Sequence, residues 1–209
     1  MLHGQKTVSD WLLKVCRGDI LSVMEASMLK VVMDVAADHG GYVPTREMVA
    51  RGVPAGRLVT LAHRGGLKRV GYGMYRLPGF PLDVHDELIL AVLWTNDRGA
   101  ISHETALGFY ELADVNPVAI DLTIPRAYRI GRCGGDLYRV HHTDLEPNEV
   151  TVIDGVRVVT VQRAIHGAIR QGVGTALIEQ AITTARGLGW ITAEQAQNAN
   201  TKLQRAVHV

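Results

Sequence analysis

The sequence predicts an α+β protein: an N-terminal winged helix-turn-helix domain followed by a mixed α+β C-terminal domain that ends in helices. Three observations predict it. Glycine pairs and prolines cut residues 22–80 into short helices and two short strands, whereas residues 81–209 mix strand alternation with amphipathic helices. Charge divides at the same place. Residues 1–80 carry 11 Lys+Arg and 6 Asp+Glu, net +5, and residues 81–209 carry 11 and 15, net −4. Finally, 209 residues with 47% hydrophobic and 21% charged side chains suffice for two small cores and exclude wholesale disorder.

The elements follow in order. Val8, Trp11, Leu12 and Val15 recur at helical spacing, giving a helical extension over residues 1–21. Ser22 and Glu25 have the spacing of a capping box, in which hydroxyl and carboxylate satisfy free amides of the first turn. Met24, Met28, Val31, Val32 and Val35 continue as an apolar helix face, stopped by Gly40-Gly41. Tyr42-Val43-Pro44 is extended, because the residue before proline avoids the α region. Thr45 is placed to cap a helix from Arg46 to Ala50. After Gly52-Val53-Pro54 a third helix runs from Ala55 to Arg64, with Leu58, Leu61 and Ala62 inward and Arg57, Thr60, His63 and Arg64 outward. Leu67 to Val70 and Met74 to Leu77 read as strands joined by the three-residue loop Gly71-Tyr72-Gly73. Helix, strand, helix, turn, helix and hairpin, in that order, make the winged domain of residues 22–80.

In residues 81–209, Asp86 to Trp94 reads as an apolar core helix and Ser102 as the cap of a helix from His103 to Leu112. Val118 to Ile124, Leu137 to His141, Val150 to Ile153 and Val156 to Val159 read as strands, the last two turned by Asp154-Gly155. Thr160 is placed to cap a helix to Arg170. Helices over Thr175 to Arg186 and Thr192 to Val207 close the chain, the latter opened by a Thr192–Gln195 capping box.

The charge map carries the functional argument. Residues 46–76 hold Arg46, Arg51, Arg57, Arg64, Lys68, Arg69 and Arg76 against one acid, Glu47, a local net of +6 in a chain of net +1. Such a footprint on a third helix and hairpin fits double-stranded DNA, with the helix in the major groove and the hairpin across flanking phosphates. Arg57 and Thr60 are the expected base-edge contacts, since arginine reads guanine bidentately and a threonine methyl packs on thymine. Arg46, Arg64, Lys68 and Arg69 are expected to hold phosphates and set register. Tyr72 at the hairpin tip is placed for sugar or minor-groove contact, with simple turn packing as the alternative. His63 shares the outward helix face and reads as a surface residue among these contacts. With about five phosphates neutralised per protomer, the log–log salt slope would be near −4.5.

No motif points to catalysis, so the chain reads as a non-enzyme without cofactor or metal. His103-Glu104 begins like a zinc-protease motif, but Leu107 stands where the second histidine belongs. His141-His142 are neighbours in a strand and point to opposite faces, which a shared metal forbids. Gly131 to Gly135 lacks the Lys-Ser/Thr of a phosphate loop, and Cys133 within it has no evident histidine partner. Asp121 sits in a strand without the Glu-x-Lys-type pair of a nuclease, and only Lys202 follows it. Arg126, Arg129 and Arg132 near the glycine-rich turn could form a second, smaller basic patch. Two cysteines, Cys16 and Cys133, make no disulfide framework, which fits a reducing compartment. With no signal peptide and no long apolar run, the expected location is the cytoplasm and no membrane is involved.

Residues 41–79 (GYVPTREMVARGVPAGRLVTLAHRGGLKRVGYGMYRLPG) resemble the winged helix of AbiEi-type antitoxins from bacterial type IV toxin–antitoxin operons. Ala100-Ile-Ser-His-Glu-Thr-Ala-Leu107, Asp121-Leu-Thr-Ile-Pro125 and Val158-Val-Thr-Val-Gln-Arg-Ala164 are similar too, so the likeness spans most of residues 22–170. It implies that the winged domain binds inverted repeats in its own promoter and represses the operon, with residues 81–209 as the antitoxin domain. It also implies a nucleotidyltransferase-like toxin as counterpart, opposed without a stable complex. Homo-oligomerisation on DNA is left open. The alternative is a ligand-responsive winged-helix regulator with no toxin, whose second domain would hold a pocket with convergent polar groups. A third, a nucleic-acid-processing enzyme, would need clustered carboxylates.

Overall fold

Helix α1, Val23–Asp38, opens the residues described by the computed structural model, which are 23–82, 84–131 and 135–207. The helix read over 7–17, the cap at Ser22, and Cys16, Arg132 and Cys133 lie outside them. The chain divides into two compact units on either side of the Asp86–Glu87 bond.

In the first unit, α1 buries Val32, Val35 and Ala36 completely. It ends where Gly40 and Gly41 take φ of +59° and +94° and the Gly41 amide donates to the Ala36 carbonyl. Gly41 is required twice over: its φ disfavours L side chains, and a Cβ there would lie 2.8 Å from the Phe80 ring. Strand β1 (Tyr42–Pro44), helix α2 (Thr45–Ala50), helix α3 (Ala55–His63) and strands β2 (Lys68–Gly71) and β3 (Met74–Arg76) follow. The strands form an antiparallel sheet in the order β1-β3-β2. Val43, Met48, Leu58, Leu67 and Leu77 meet α1 in one core. Each such side chain, fully withdrawn from water, contributes about 1.5–3 kcal/mol.

Two details differ from expectation. Thr45 does not cap α2. It is the first helical residue, its amide is taken by the Gly73 carbonyl at 2.8 Å, and Pro44 stands at the cap with no side-chain bond. The hairpin tip is also tighter than the expected three-residue loop. Gly71 pairs with Met74, leaving only Tyr72-Gly73 between the strands, and the ladder slips between Arg69 and Gly71, so Val70 is the extra residue of a bulge.

Helix α4 (Asp86–Trp94) leads into the second unit. There β4 (Ala100–Ile101), α5 (His103–Phe109), β5 (Ile120–Ile124), β6 (Tyr138–His142), a 3-10 turn (Pro147–Glu149), β7 (Val150–Ile153) and β8 (Val156–Val159) precede helices α6 (Val161–Gln171), α7 (Thr175–Gly187) and α8 (Ala193–Val207). The five strands make a mixed sheet in the order β6-β5-β4-β8-β7. β5 runs parallel to β6 and antiparallel to β4, β4 runs parallel to β8, and β7 and β8 form a hairpin. That hairpin turns on Asp154-Gly155, both at positive φ, as a two-residue primed turn requires. An α+β architecture with a mixed C-terminal sheet and terminal helices is therefore present.

The Thr192–Gln195 box is formed, with bonds of 2.7 and 3.1 Å. Ser102 and Thr160 stand before α5 and α6 but accept no capping bond from the first turn. The Ser102 hydroxyl is engaged instead by Thr123 Oγ1 and His103 Nδ1, both at 2.8 Å. Helix α5 stops at Phe109, short of the expected Leu112, because Glu111 takes a left-handed φ of +53°. Strand β5 begins at Ile120, since Val118 faces solvent. No helix among the described residues is long and apolar enough to cross a membrane.

Candidate nucleic-acid interface and a polar cleft

The amphipathic division of α3 positions the first site. Leu58 and Leu61 anchor one face in the core, which turns Arg57, Thr60 and His63 outward, with Arg64 just beyond. On the neighbouring hairpin, Lys68, Arg69 and Tyr72 are exposed, and on α2 so is Arg46. Every residue expected to touch DNA is thus solvent-facing.

The seven basic residues of this stretch do not share one role. Arg51 donates to Asp38 at 3.1 Å and Glu47 at 2.7 Å, tying α2 to the end of α1. Arg76 is mostly buried. It pairs with Asp86 at 3.2 Å, donates to the Pro81 carbonyl at 3.0 Å and lies over the Tyr42 ring. These two are already engaged within the fold. Arg57, Arg64 and Lys68 form no ion pair among the described residues, and Arg69 makes a long 3.4 Å bond to the Gly71 carbonyl. Thr60 donates its hydroxyl to the Gly56 carbonyl at 3.0 Å, so its methyl is what remains for an apolar contact.

A second constellation, in the other unit, was not singled out by sequence. A cleft of about 350 Å³ opens between β6 and α6, lined by His103, Val140, His141, His142, Thr143, Arg163, Gly167, Arg170 and Gln171. Beneath it lies Asp121 on β5, fully buried. One of its carboxylate oxygens accepts from His141 Nε2 at 2.8 Å and Gln171 Nε2 at 3.1 Å, with Arg139 Nη1 at 3.6 Å. The Asp121 amide donates to Thr105 Oγ1 at 2.8 Å. A buried carboxylate survives only with such company. The Gln171 Oε1 atom is buried and has no hydrogen-bond partner among the described residues.

His103 stacks on His141, ring centroids 3.6 Å apart and planes 14° from parallel. Its backbone takes φ +52°, a strained value for a non-glycine residue. Gly167 of α6 permits the stack, since a Cβ there would lie 3.0 Å from the His103 ring. Burial, reinforced by His141, pushes the His103 imidazole down to about 4, so it is neutral at pH 7. The dismissed His141-His142 doublet therefore has a structural reason: His141 orients on Asp121, and His142 reaches the cleft from the end of β6. Among the described residues, no three His, Cys, Asp or Glu side chains are grouped to hold a metal.

Of the three arginines expected near the glycine-rich turn, Arg126 and Arg129 fall among the described residues. Arg126 and Arg129 are exposed, and Arg129 Nη1 donates to the Arg126 carbonyl at 2.6 Å. The signals that could have found the cleft are Arg163, Gly167, Arg170 and Gln171 at one-face helical spacing, and an Asp121 that no exposed strand position would need.

No protein-family model and no curated protein matches the chain. Among solved structures, it is similar to the RV2827C protein from Mycobacterium tuberculosis, at 15% identity and a TM-score of 0.47 over 90% of this chain and 79% of that one. A likeness at that level assigns neither family nor activity.

Proposed function

We propose that the first unit is a winged helix-turn-helix that binds double-stranded DNA and represses the operon encoding it, and that the protein is a type IV antitoxin of the AbiEi type. The single observation that carries the DNA reading is the row of exposed cations without ion pairs on α3 and the β2–β3 hairpin: Arg57, Arg64 and Lys68, with Arg69 beside them. Isolated cations held on two rigid elements suit phosphates spaced along a duplex. Arg57 and the Thr60 methyl are assigned to base edges, and Arg46, Arg64, Lys68 and Arg69 to the backbone. Tyr72 projects from the hairpin tip at 77% exposure, which favours a contact over turn packing. The antitoxin part rests on the sequence resemblance, with a nucleotidyltransferase-like toxin as functional counterpart and no stable complex between the two.

Two experiments test this. In a gel shift, the duplex upstream of the protein's own reading frame should bind in preference to a scrambled duplex of equal length; equal affinity would sink the repressor. Co-expression should restore growth to cells making the toxin encoded alongside. Failure to rescue, with DNA binding intact, would remove the antitoxin claim alone.

A further inference from the structure

We propose that the cleft between β6 and α6 binds a small phosphorylated molecule of mononucleotide size. The charge of its lining argues for an anion. Arg163 and Arg170 enter from α6, with histidines opposite, and among the described residues no carboxylate lines the cleft. Asp121 lies underneath, fully buried and already occupied by His141 and Gln171. Glu149 approaches Arg163 Nε only to 3.7 Å, which leaves that guanidinium's other donors available. This cationic spot stands in a segment, residues 81–209, whose net charge is −4.

Geometry narrows the class. Two arginine forks on one helical face present more N–H donors than a carboxylate can accept, whereas a phosphate has three terminal oxygens. A volume of about 350 Å³ exceeds what inorganic phosphate fills and lies within the range of small-ligand sites. The net charge of −4 on residues 81–209 opposes a long nucleic-acid strand, which favours a free molecule over a polyanion. The site is also held ready. Asp121 fixes the His141 ring, His103 is clamped on it at a strained backbone angle, and Gly167 leaves room for the pair.

The proposal stands apart from the DNA reading, and its test keeps them apart. Full-length protein is titrated with the four ribonucleoside monophosphates, ribose 5-phosphate, inorganic phosphate and a single-stranded oligonucleotide. Binding is read by calorimetry and by ring 1H–15N spectra of the histidines. At least one organic monophosphate should bind, moving the His103 and His141 ring signals. Arg170→Gln, an exposed substitution that leaves the fold alone, should weaken it by about tenfold or more, as should Arg163→Gln. Lys68→Gln should leave it unchanged while weakening DNA. Absence of any histidine response at on the order of 10 mM ligand would overturn the proposal. So would binding indifferent to Arg170, inorganic phosphate binding as tightly as every organic phosphate, or tighter binding of the oligonucleotide.

Discussion

The salt dependence of DNA binding follows from which cations the fold has already engaged. Arg51 and Arg76 are held in ion pairs with Asp38, Glu47 and Asp86, so DNA would have to break those pairs to use them. Arg57, Arg64, Lys68 and Arg69 form no ion pair among the described residues. If the four residues assigned to the DNA backbone, Arg46, Arg64, Lys68 and Arg69, each neutralise one phosphate, the slope of log K against log salt is about −3.6 per protomer, and affinity falls roughly 150-fold between about 50 and 200 mM salt. Counting Arg51 and Arg76 as well would give about −5.4 and a loss near 2,000-fold. Lys68→Gln should bring the slope to about −2.7 and the loss to roughly 40-fold, without changing which duplex is preferred. Fluorescence anisotropy with a labelled promoter duplex across a salt series measures both. A slope steeper than about −5 that Arg51→Gln reduces would refute the division of labour. A slope untouched by Lys68→Gln would place DNA elsewhere on the molecule.

Arg57→Ala should relax sequence preference by about 1–3 kcal/mol, read as a reduced ratio of promoter to scrambled affinity with the salt slope little altered. Asp86→Ala strands the mostly buried Arg76 guanidinium and should cost about 2–4 kcal/mol in urea unfolding, with DNA specificity retained in what remains folded. Burial and His141 hold the His103 imidazole at about 4, below its ordinary 6.5. The unfolded chain therefore takes up that proton first, so the contribution is complete above pH 6.5 and is lost as pH falls towards 4. Allowing for partial solvent screening, it amounts to about 1–2 kcal/mol. His103→Asn, which tolerates a left-handed backbone, should flatten stability against pH in that window. An unchanged acid limb would show that other groups govern it.

The fold was legible wherever punctuation is local. Gly40-Gly41, Pro54 and Asp154-Gly155 set their boundaries through backbone angles that neighbours cannot override. Helix α4 and strands β7 and β8 lie where periodicity places them. Caps were less legible, because a hydroxyl beside a helix start has several partners to choose from. Ser102 is engaged by Thr123, a residue 21 positions away, and no local pattern announces that pairing. The basic face of α3 was readable because one helix carries it. The cleft was not, since His103, Asp121, His141 and Gln171 come from four elements that meet only through the parallel β5–β6 pairing and the packing of α6. Net charge overstated the cations free for a partner, because Arg51 and Arg76 are indistinguishable from Lys68 until their acids are located.

The bulge at Val70 makes the direction of the hairpin tip a matter of length rather than of side-chain chemistry. Lys68 and Arg69 precede the extra residue, and Tyr72 follows it. Substituting Val70 changes what one position presents. Deleting it restores an even ladder and turns the tip relative to the two cations below. Variation among natural versions of this hairpin should therefore be free in residue type at position 70 and closed to insertions and deletions, the reverse of the tolerance that surface loops usually show.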